Sequence, residues 1–186
     1  MSGKLYLIAG PSGVGKGTVV KELMKLDSKL ALSVSATTRS PRPGEIDGVN
    51  YFFLTREKFE KMIEEDGFLE HAEYAGNCYG TPMKPVSDKL AQGYDVILEI
   101  EVQGCMQVLE KCPDAIAIFL LPPSYEILEK RLRGRGTESE EVIQKRLSAA
   151  RVELGYVNKY HCFVVNDVVE DAAKRILDII KEKRGA

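Results

Sequence analysis

The sequence predicts an α/β protein of three layers, a parallel central sheet with helices on both faces, and three observations carry that prediction. Apolar runs at 5–9, 94–101, 115–121 and 161–166 alternate with helical patterns at 19–26, 104–111, 124–133 and 169–182. Runs this apolar suit strands buried on both faces, and their alternation with helices makes the sheet parallel. A glycine-rich stretch, Gly-Pro-Ser-Gly-Val-Gly-Lys-Gly-Thr at 10–18, joins the first run to the first helix. The 186 residues, 44% hydrophobic and 29% charged, suffice for one well-cored domain, which two insertions at about 36–90 and 134–156 interrupt.

The first strand, Leu-Tyr-Leu-Ile-Ala, runs straight into Gly10, Pro11, Ser12, Gly13, Val14, Gly15, Lys16, Gly17 and Thr18. Gly10, Gly13 and Gly15 let successive backbone N–H groups turn inward, and the following helix adds its free N–H groups and positive dipole end. Lys16 sets a mobile ammonium against the outer phosphates of a nucleotide. This spacing, between a buried-strand signal and a helix, is the Walker A pattern of a P-loop in the context it requires. An ordinary glycine turn would not call for the lysine. Gly17 stands where Ser or Thr normally reaches Mg²⁺, so either Thr18 takes a related role or the metal is held mainly through water.

Residues 30–35 read as a short strand. From 36 to 48 the chain is polar and broken by Pro41, Pro43, Gly44 and Gly48, a composition that forms no regular element, and a β-prone run follows at 49–54. Thr55 caps a helix to about 66, with Phe59, Met62 and Ile63 on its apolar stripe and Gly67 at its end. A strand at 68–74, a turn-rich link at 77–82 and a helix at about 86–92 complete the first insertion. The central run at 94–101 then brings Glu99 and Glu101 to its carboxyl end, the edge where ligands of open α/β sheets bind. Beyond the helix at 104–111, the strand at 115–121 is stopped by Pro122 and Pro123, and Ser124 caps the next helix, to about 133. Thr137 and Glu140 resemble a capping box before a helix reaching about 156. The strand at 161–166 precedes a closing amphipathic helix with Ile176, Leu177 and Ile180 inward. Tyr6, Phe52, Phe53 and Phe119 are expected in the core.

The balance of 26 basic against 28 acidic residues, a net charge of −2, argues against a sequence-independent nucleic-acid or membrane-surface binder. Cys78, Cys105, Cys112 and Cys162 form no Cys-x-x-Cys pair, and His71 and His161 lie far apart, so no metal-ligand spacing arises and reduced thiols are expected. The opening Met-Ser-Gly-Lys lacks a signal-peptide core and no run approaches a membrane span, which predicts a soluble, cytoplasmic protein. Apolar faces do not separate a dimer surface from a core, so oligomeric state stays open.

Arginines narrow the chemistry. Arg131, Arg135, Arg146 and Arg151 lie in or beside the second insertion, a glycine-flanked helical segment that could swing over a triphosphate and exclude water. Arg135 and Arg146 are the better placed, whereas Arg131 and Arg151 could be surface pairs, and a solvated basic face is the competing explanation. In the first insertion Arg39 and Arg42 can grip a second phosphate with planar forks, and Tyr51 and Tyr79 can donate hydroxyl hydrogen bonds. Two anion sites suggest transfer between two phosphorylated molecules. A monophosphate acceptor, with its second pKa at about 6, needs no general base, which leaves His71 and His161 structural.

With these residues in view, the chain resembles bacterial-type guanylate kinases over essentially its whole length. The matches are the stretch at 10–18, Ser-Val-Ser-Ala-Thr-Thr-Arg-Ser-Pro-Arg-Pro-Gly-Glu at 33–45, Gly-Val-Asn-Tyr-Phe-Phe at 48–53 and Phe-Leu-Glu at 68–70. Tyr-Gly-Thr-Pro at 79–82, Gly-Arg-Gly-Thr-Glu at 134–138, Lys-Arg-Leu at 145–147 and Val-Asn-Asp at 165–167 extend them. The resemblance implies an ATP-dependent, Mg²⁺-assisted kinase acting on GMP and dGMP, with a P-loop core at about 1–35, 91–133 and 157–186, a GMP-binding insertion at about 36–90 and a lid at about 134–156. It implies that Lys16, Arg39, Arg135 and Arg146 serve catalysis, that Arg39, Arg42, Tyr51 and Tyr79 bind the GMP phosphate, and that Ser35, Glu70 and Thr81 address the base. Asn166 would lie near the ATP adenine. Glu99 and Glu101 stand where related enzymes often carry aspartates; Glu101 is assigned to the guanine amino group and Glu99, with Thr18, to water-mediated Mg²⁺. A similar fold also serves as a phosphopeptide-binding module in scaffolds, but this chain keeps Lys16 and the lid arginines. A third alternative keeps the chemistry and changes the acceptor, to another nucleotide or a phosphorylated sugar.

Overall fold

β1 (Leu5–Ala9) is apolar and buried at all five positions, as a strand covered on both faces should be. Tyr6 and Ile8 turn to one core, and Leu5, Leu7 and Ala9 to the other. The computed structural model, which describes residues 2–134 and 139–185, builds its layers about this strand. In chain order follow α1 (Lys16–Leu26), β2 (Leu30–Leu32), β3 (Ala36–Thr37), β4 (Phe52–Phe53), α2 (Arg56–Glu64), β5 (Phe68–Tyr74), β6 (Asn77–Pro82) and α3 (Met83–Ala91). Then come β7 (Asp95–Glu99), α4 (Val102–Lys111), β8 (Ile116–Leu121), α5 (Tyr125–Arg133), α6 (Glu140–Leu154), β9 (Cys162–Val165) and α7 (Val169–Arg184).

The main sheet has the order β2-β7-β1-β8-β9, and all four pairings are parallel. Val19, Val20 and Leu23 of α1 and Ile176, Leu177 and Ile180 of α7 pack on the face of Tyr6 and Ile8. Val86 of α3 with Cys105 and Val108 of α4 cover the opposite face. This is the three-layer parallel architecture the apolar runs predict. Thr55 and Ser124 cap as expected, each hydroxyl oxygen accepting a backbone N–H three residues on, from Lys58 and Ile127, at 3.2 Å. At the amino ends of the strands, opposite the glycine loop, buried Asp95 accepts from the Lys4 N–H at 2.7 Å and from Arg184 Nε at 2.5 Å. Arg184 Nη1 also donates to Asp27 at 2.6 Å, so the last turn of α7 is stapled to the sheet. Among the described residues no helix is long and apolar enough to cross a membrane.

Residues 36–82 depart from expectation, because they form a second sheet in the order β4-β3-β6-β5. Composition reads β6 as a turn-rich link, yet it pairs antiparallel with both β3 and β5. Its glycine answers to packing rather than to a turn: a Cβ on Gly80 would stand 2.8 Å from the Glu70 carbonyl oxygen. Pro82 is tolerated as the last residue of the strand. β3 lies in the stretch expected to form no regular element, and two residues suffice there because β4 and β6 flank them. The 30–35 strand stops at Leu32, and the 49–54 run contributes only Phe52 and Phe53, half-buried instead of core. Asp66, not Gly67, takes the left-handed conformation after α2, with φ 50°. α6 starts at Glu140 behind Ser139, while Thr137 of the expected capping box lies outside the described residues.

Candidate active site

The glycine loop leaves the carboxyl end of β1 between the ends of β7 and β8. Gly15 sits in the left-handed region, φ 94°, and turns the chain into α1. Lys16 opens that helix, and its Nζ donates to the Gly10 carbonyl at 2.6 Å. Burial pulls the Lys16 ammonium below its ordinary value, while the carboxylates of Glu153, Glu99 and Glu101 pull the other way. Asn166, buried just past β9, donates its amide to the Val14 carbonyl at 2.7 Å, and a Cβ on Gly15 would meet that nitrogen at 2.8 Å. Asn166 therefore holds the loop backbone from behind. Arg131, expected as a candidate surface pair, instead reaches the carbonyls of Val14 and Asp167 at 3.4 Å.

Ser12, Gly13, Gly15, Lys16, Gly17 and Thr18 line a cavity of about 340 Å³ closed by Glu99, Glu101 and Glu153, and Gly10, Pro11 and Val14 are buried in the same loop. The structure connects two departures from the family pattern here. A Cβ on Gly17 would lie 3.3 Å from Glu99 Oε1, so glycine leaves room for a carboxylate one methylene longer than aspartate. Thr18 stands beside it on the first turn of α1. This donor set, a carboxylate and a hydroxyl, is hard oxygen, which fits a Mg²⁺ ion that keeps several waters.

A second cavity, about 290 Å³, is lined by Ser35, Tyr51, Glu70 and Tyr79, and it too is bounded by Glu99 and Glu101. Thr81, fully buried, donates its hydroxyl to Glu70 Oε1 at 2.6 Å. Burial raises the Glu70 carboxyl above its usual range, the hydrogen bonds of Thr81 oppose that, and the charge of Glu101 adds to it. Tyr51 and Tyr79 meet edge to face at 6.3 Å, and the Arg39 guanidinium lies 5.5 Å from the Tyr51 ring centre. Arg39 is forked onto Glu45 at 3.0 and 2.9 Å. Glu45 also accepts the Arg42 N–H at 2.7 Å, while the Arg42 residue is exposed.

Two residues that sequence reasoning passed over thus enter the site. Glu45 ends the quoted 33–45 stretch, three residues after Arg42, and that spacing was the available signal. Glu153 had none: it sits on α6, and its Oε2 accepts the Ser12 N–H at 3.2 Å across 141 residues of chain. Arg146 is half-buried on the same helix, seven residues earlier and so on the same face. Arg135 lies outside the described residues. Arg151 covers the Tyr125 ring at 4.8 Å. A larger groove of about 570 Å³ between α2 and α3 is mostly apolar and lacks the converging donors of the other two.

A family model described as guanylate kinase matches residues 2–183. The chain belongs to the guanylate kinase family. The guanylate kinase of Prochlorococcus marinus (strain MIT 9312) is 52% identical to it over 178 residues, 96% of this chain and 97% of that protein. That of Clostridioides difficile (strain 630) is 51% identical over 182 residues, 98% of this chain and 89% of the other. The crystal structure of guanylate kinase from Anaplasma phagocytophilum superposes with a TM-score of 0.77 at 32% identity, covering 98% of this chain and 86% of that one. As a member of the guanylate kinase family the protein is a nucleotide kinase, an enzyme of phosphoryl transfer, and the non-catalytic binding-module alternative is not favoured.

Proposed function

We propose that the protein transfers the terminal phosphoryl group of Mg-ATP to GMP, and to dGMP, giving ADP and the nucleoside diphosphate. One observation carries this: the glycine-loop cavity and the Tyr51–Glu70–Tyr79 cavity share Glu99 and Glu101 as a common wall. A phosphate in one lies just across the end of β7 from a phosphate in the other. Gly13, Gly15, Gly17 and Thr18 offer N–H groups to the donor phosphates, joined by Ser12 when its N–H leaves Glu153, and supported by the rest of the loop and by Lys16. Asn166 serves the donor site by fixing the loop, on the side where the adenine would lie. Arg39, Arg42, Tyr51 and Tyr79 take the acceptor phosphate.

Guanine presents an acceptor at O6 and donors at N1 and N2. Glu70, held by Thr81, takes both donors, the N1–H and one N–H of the 2-amino group, Glu101 takes the other amino N–H, and the Ser35 hydroxyl supplies O6. Adenine would leave the carboxylate unpaired, which a buried site penalises strongly. An oxygen of the GMP phosphate attacks the terminal phosphorus in line, a P–O bond forms, and the bond to the ADP oxygen breaks. The attacking oxygen is already deprotonated at neutral pH, so no side chain need remove a proton. Lys16, Arg39, Arg135 and Arg146 spread the developing charge. Thr18 and Glu99 would hold Mg²⁺ through water, and the ion neutralises phosphate charge when bound.

In this reading residues 1–35, 91–133 and 157–186 are the core, 36–90 the GMP-binding insertion and 134–156 a lid whose closure excludes water. Free cysteines and nucleotide substrates suit a cytoplasmic enzyme. The test is ADP formation from Mg-ATP in a coupled assay with GMP, dGMP, AMP, CMP, UMP or no acceptor. Turnover confined to GMP and dGMP is expected. Turnover with another nucleotide would overturn the base assignment, and none from folded, GMP-binding protein would overturn the kinase chemistry.

A further inference from the structure

The base-selecting carboxylate is held by a helix of the core rather than by its own sheet alone. β5 is an edge strand of the second sheet, paired only with β6. On its open side the His71 N–H donates to Gln107 Oε1 at 3.1 Å, and Gln107 Nε2 donates back to the His71 carbonyl at 3.2 Å. One side-chain amide thus satisfies both backbone groups that a neighbouring strand would otherwise take. The residue beside His71 is Glu70. One turn earlier on α4, a Cβ built on Gly104 would stand 2.9 Å from Glu70 Oε2 and 3.3 Å from Glu70 Cγ. Only glycine lets the carboxylate lie that close to the helix. Glu101, at the N-cap of α4, lines the same cavity as Glu70. Residues 104 and 107 are neighbours one turn apart on α4, so the helix that carries one carboxylate of the cavity at its N-cap also sets the height of the other.

We propose that Gln107, working with Gly104, is a positioning residue for purine selection: its two-bond clamp on His71 fixes where the Glu70 carboxylate stands relative to Glu101. This rests on the reading of Glu70 as the group that takes guanine's donors. The clamp is a weak contributor to folding, since an intramolecular hydrogen bond largely replaces one to water. Its consequence is geometric. Thr81 fixes one oxygen of Glu70, Gly104 lies against the other, and Gln107 sets the strand that carries both, whereas recognition tolerates roughly half an ångström of error.

The experiment compares dissociation constants for GMP and for IMP, which lacks only the 2-amino group, in the parent protein and in Gln107→Glu, Gln107→Met and Glu70→Gln. Gln107→Glu keeps an acceptor for the His71 N–H but sets an oxygen against the His71 carbonyl; Gln107→Met keeps the length and removes both bonds. KM for ATP and the melting temperature are measured on each. The expected result is that both Gln107 variants lose about three- to tenfold of the preference for GMP over IMP, with KM for ATP unchanged. Glu70→Gln should lose at least as much. An unchanged preference in both Gln107 variants, with Glu70→Gln impaired, overturns the proposal and leaves the base site standing. Equal weakening of GMP and IMP with a raised KM for ATP makes the clamp merely structural and also overturns it. If Glu70→Gln itself leaves the preference intact, the base-site reading falls and the proposal with it.

Discussion

Lys16 combines burial with three nearby carboxylates, an arrangement that keeps a cation in a crowded cavity until phosphate oxygens share it. Replacing it with methionine removes charge from the donor side alone. Lys16→Met should lower kcat by about a thousandfold or more while the GMP dissociation constant stays within about twofold, read by single-turnover kinetics and calorimetry. Equal loss of GMP binding would contradict the assignment. Glu153 carries the opposite expectation. Its carboxylate takes the Ser12 N–H, a donor that the loop otherwise presents to an anion, and its charge faces any incoming phosphate. Glu153→Gln should tighten ATP binding by roughly three- to tenfold, the worth of about one hydrogen bond or one screened charge. Weaker ATP binding would show instead that the carboxylate supports the loop.

Helices deliver these side chains, and their ends are where single atoms count. Ser124 starts α5 by accepting the Ile127 N–H, and α5 carries Leu132 into the core and Arg131 onto the glycine loop. Ser124→Ala should cost about 1 kcal/mol in urea unfolding, the usual value of a lost N-cap, with little change in KM for GMP. A loss well beyond that would mean the hydroxyl does more than cap. α6 belongs to the same logic, because one of its faces bears both Arg146 and the carboxylate that touches the loop. Whatever moves this helix moves the Glu153 carboxylate at the glycine loop and the Arg146 cation together.

The chain as a whole is fastened at the amino ends of the strands, opposite the site. Arg184 is shared by Asp95, buried, and Asp27, half-covered, and these partners lie 89 and 157 residues away. Arg184→Met leaves Asp95 with only the Lys4 N–H, and stability should fall by about 2–3 kcal/mol in thermal or urea unfolding. The cluster also predicts acid sensitivity. Burial alone would raise the Asp27 carboxyl, but hydrogen bonds from the Lys29 N–H and Arg184 and their charges outweigh it, so its folded value lies below the ordinary 3.8. A carboxyl depressed on folding stabilises fully above its unfolded value and stops doing so as the pH falls through the folded one. The melting temperature should therefore drop as pH goes below 3.8, and Asp27→Asn should flatten that limb of the profile. An identical acid limb in the variant would remove Asp27 from the cause.

Much of this was legible before any fold was known, wherever the information is local. Five apolar residues before a glycine loop, a lysine at its end and a cap at Ser124 each dictate the backbone around them, because φ/ψ preference, burial period and capping act within a few residues. The Gly17 and Glu99 departures were equally visible, but not that the glycine leaves room for the longer carboxylate. β6 shows the limit: Asn, Gly and Pro in six residues read as a turn, and only pairing with strands on both sides made them extended. Glu153 on Ser12, Gln107 on His71 and Arg184 on two aspartates lie beyond any reading of the chain. A polar side chain on a helix carries no periodic mark of its partner, and which donor it meets depends on how distant elements pack. Composition and period chose the elements and the chemistry of the loop; the approach of separate layers chose which carboxylates face which donors.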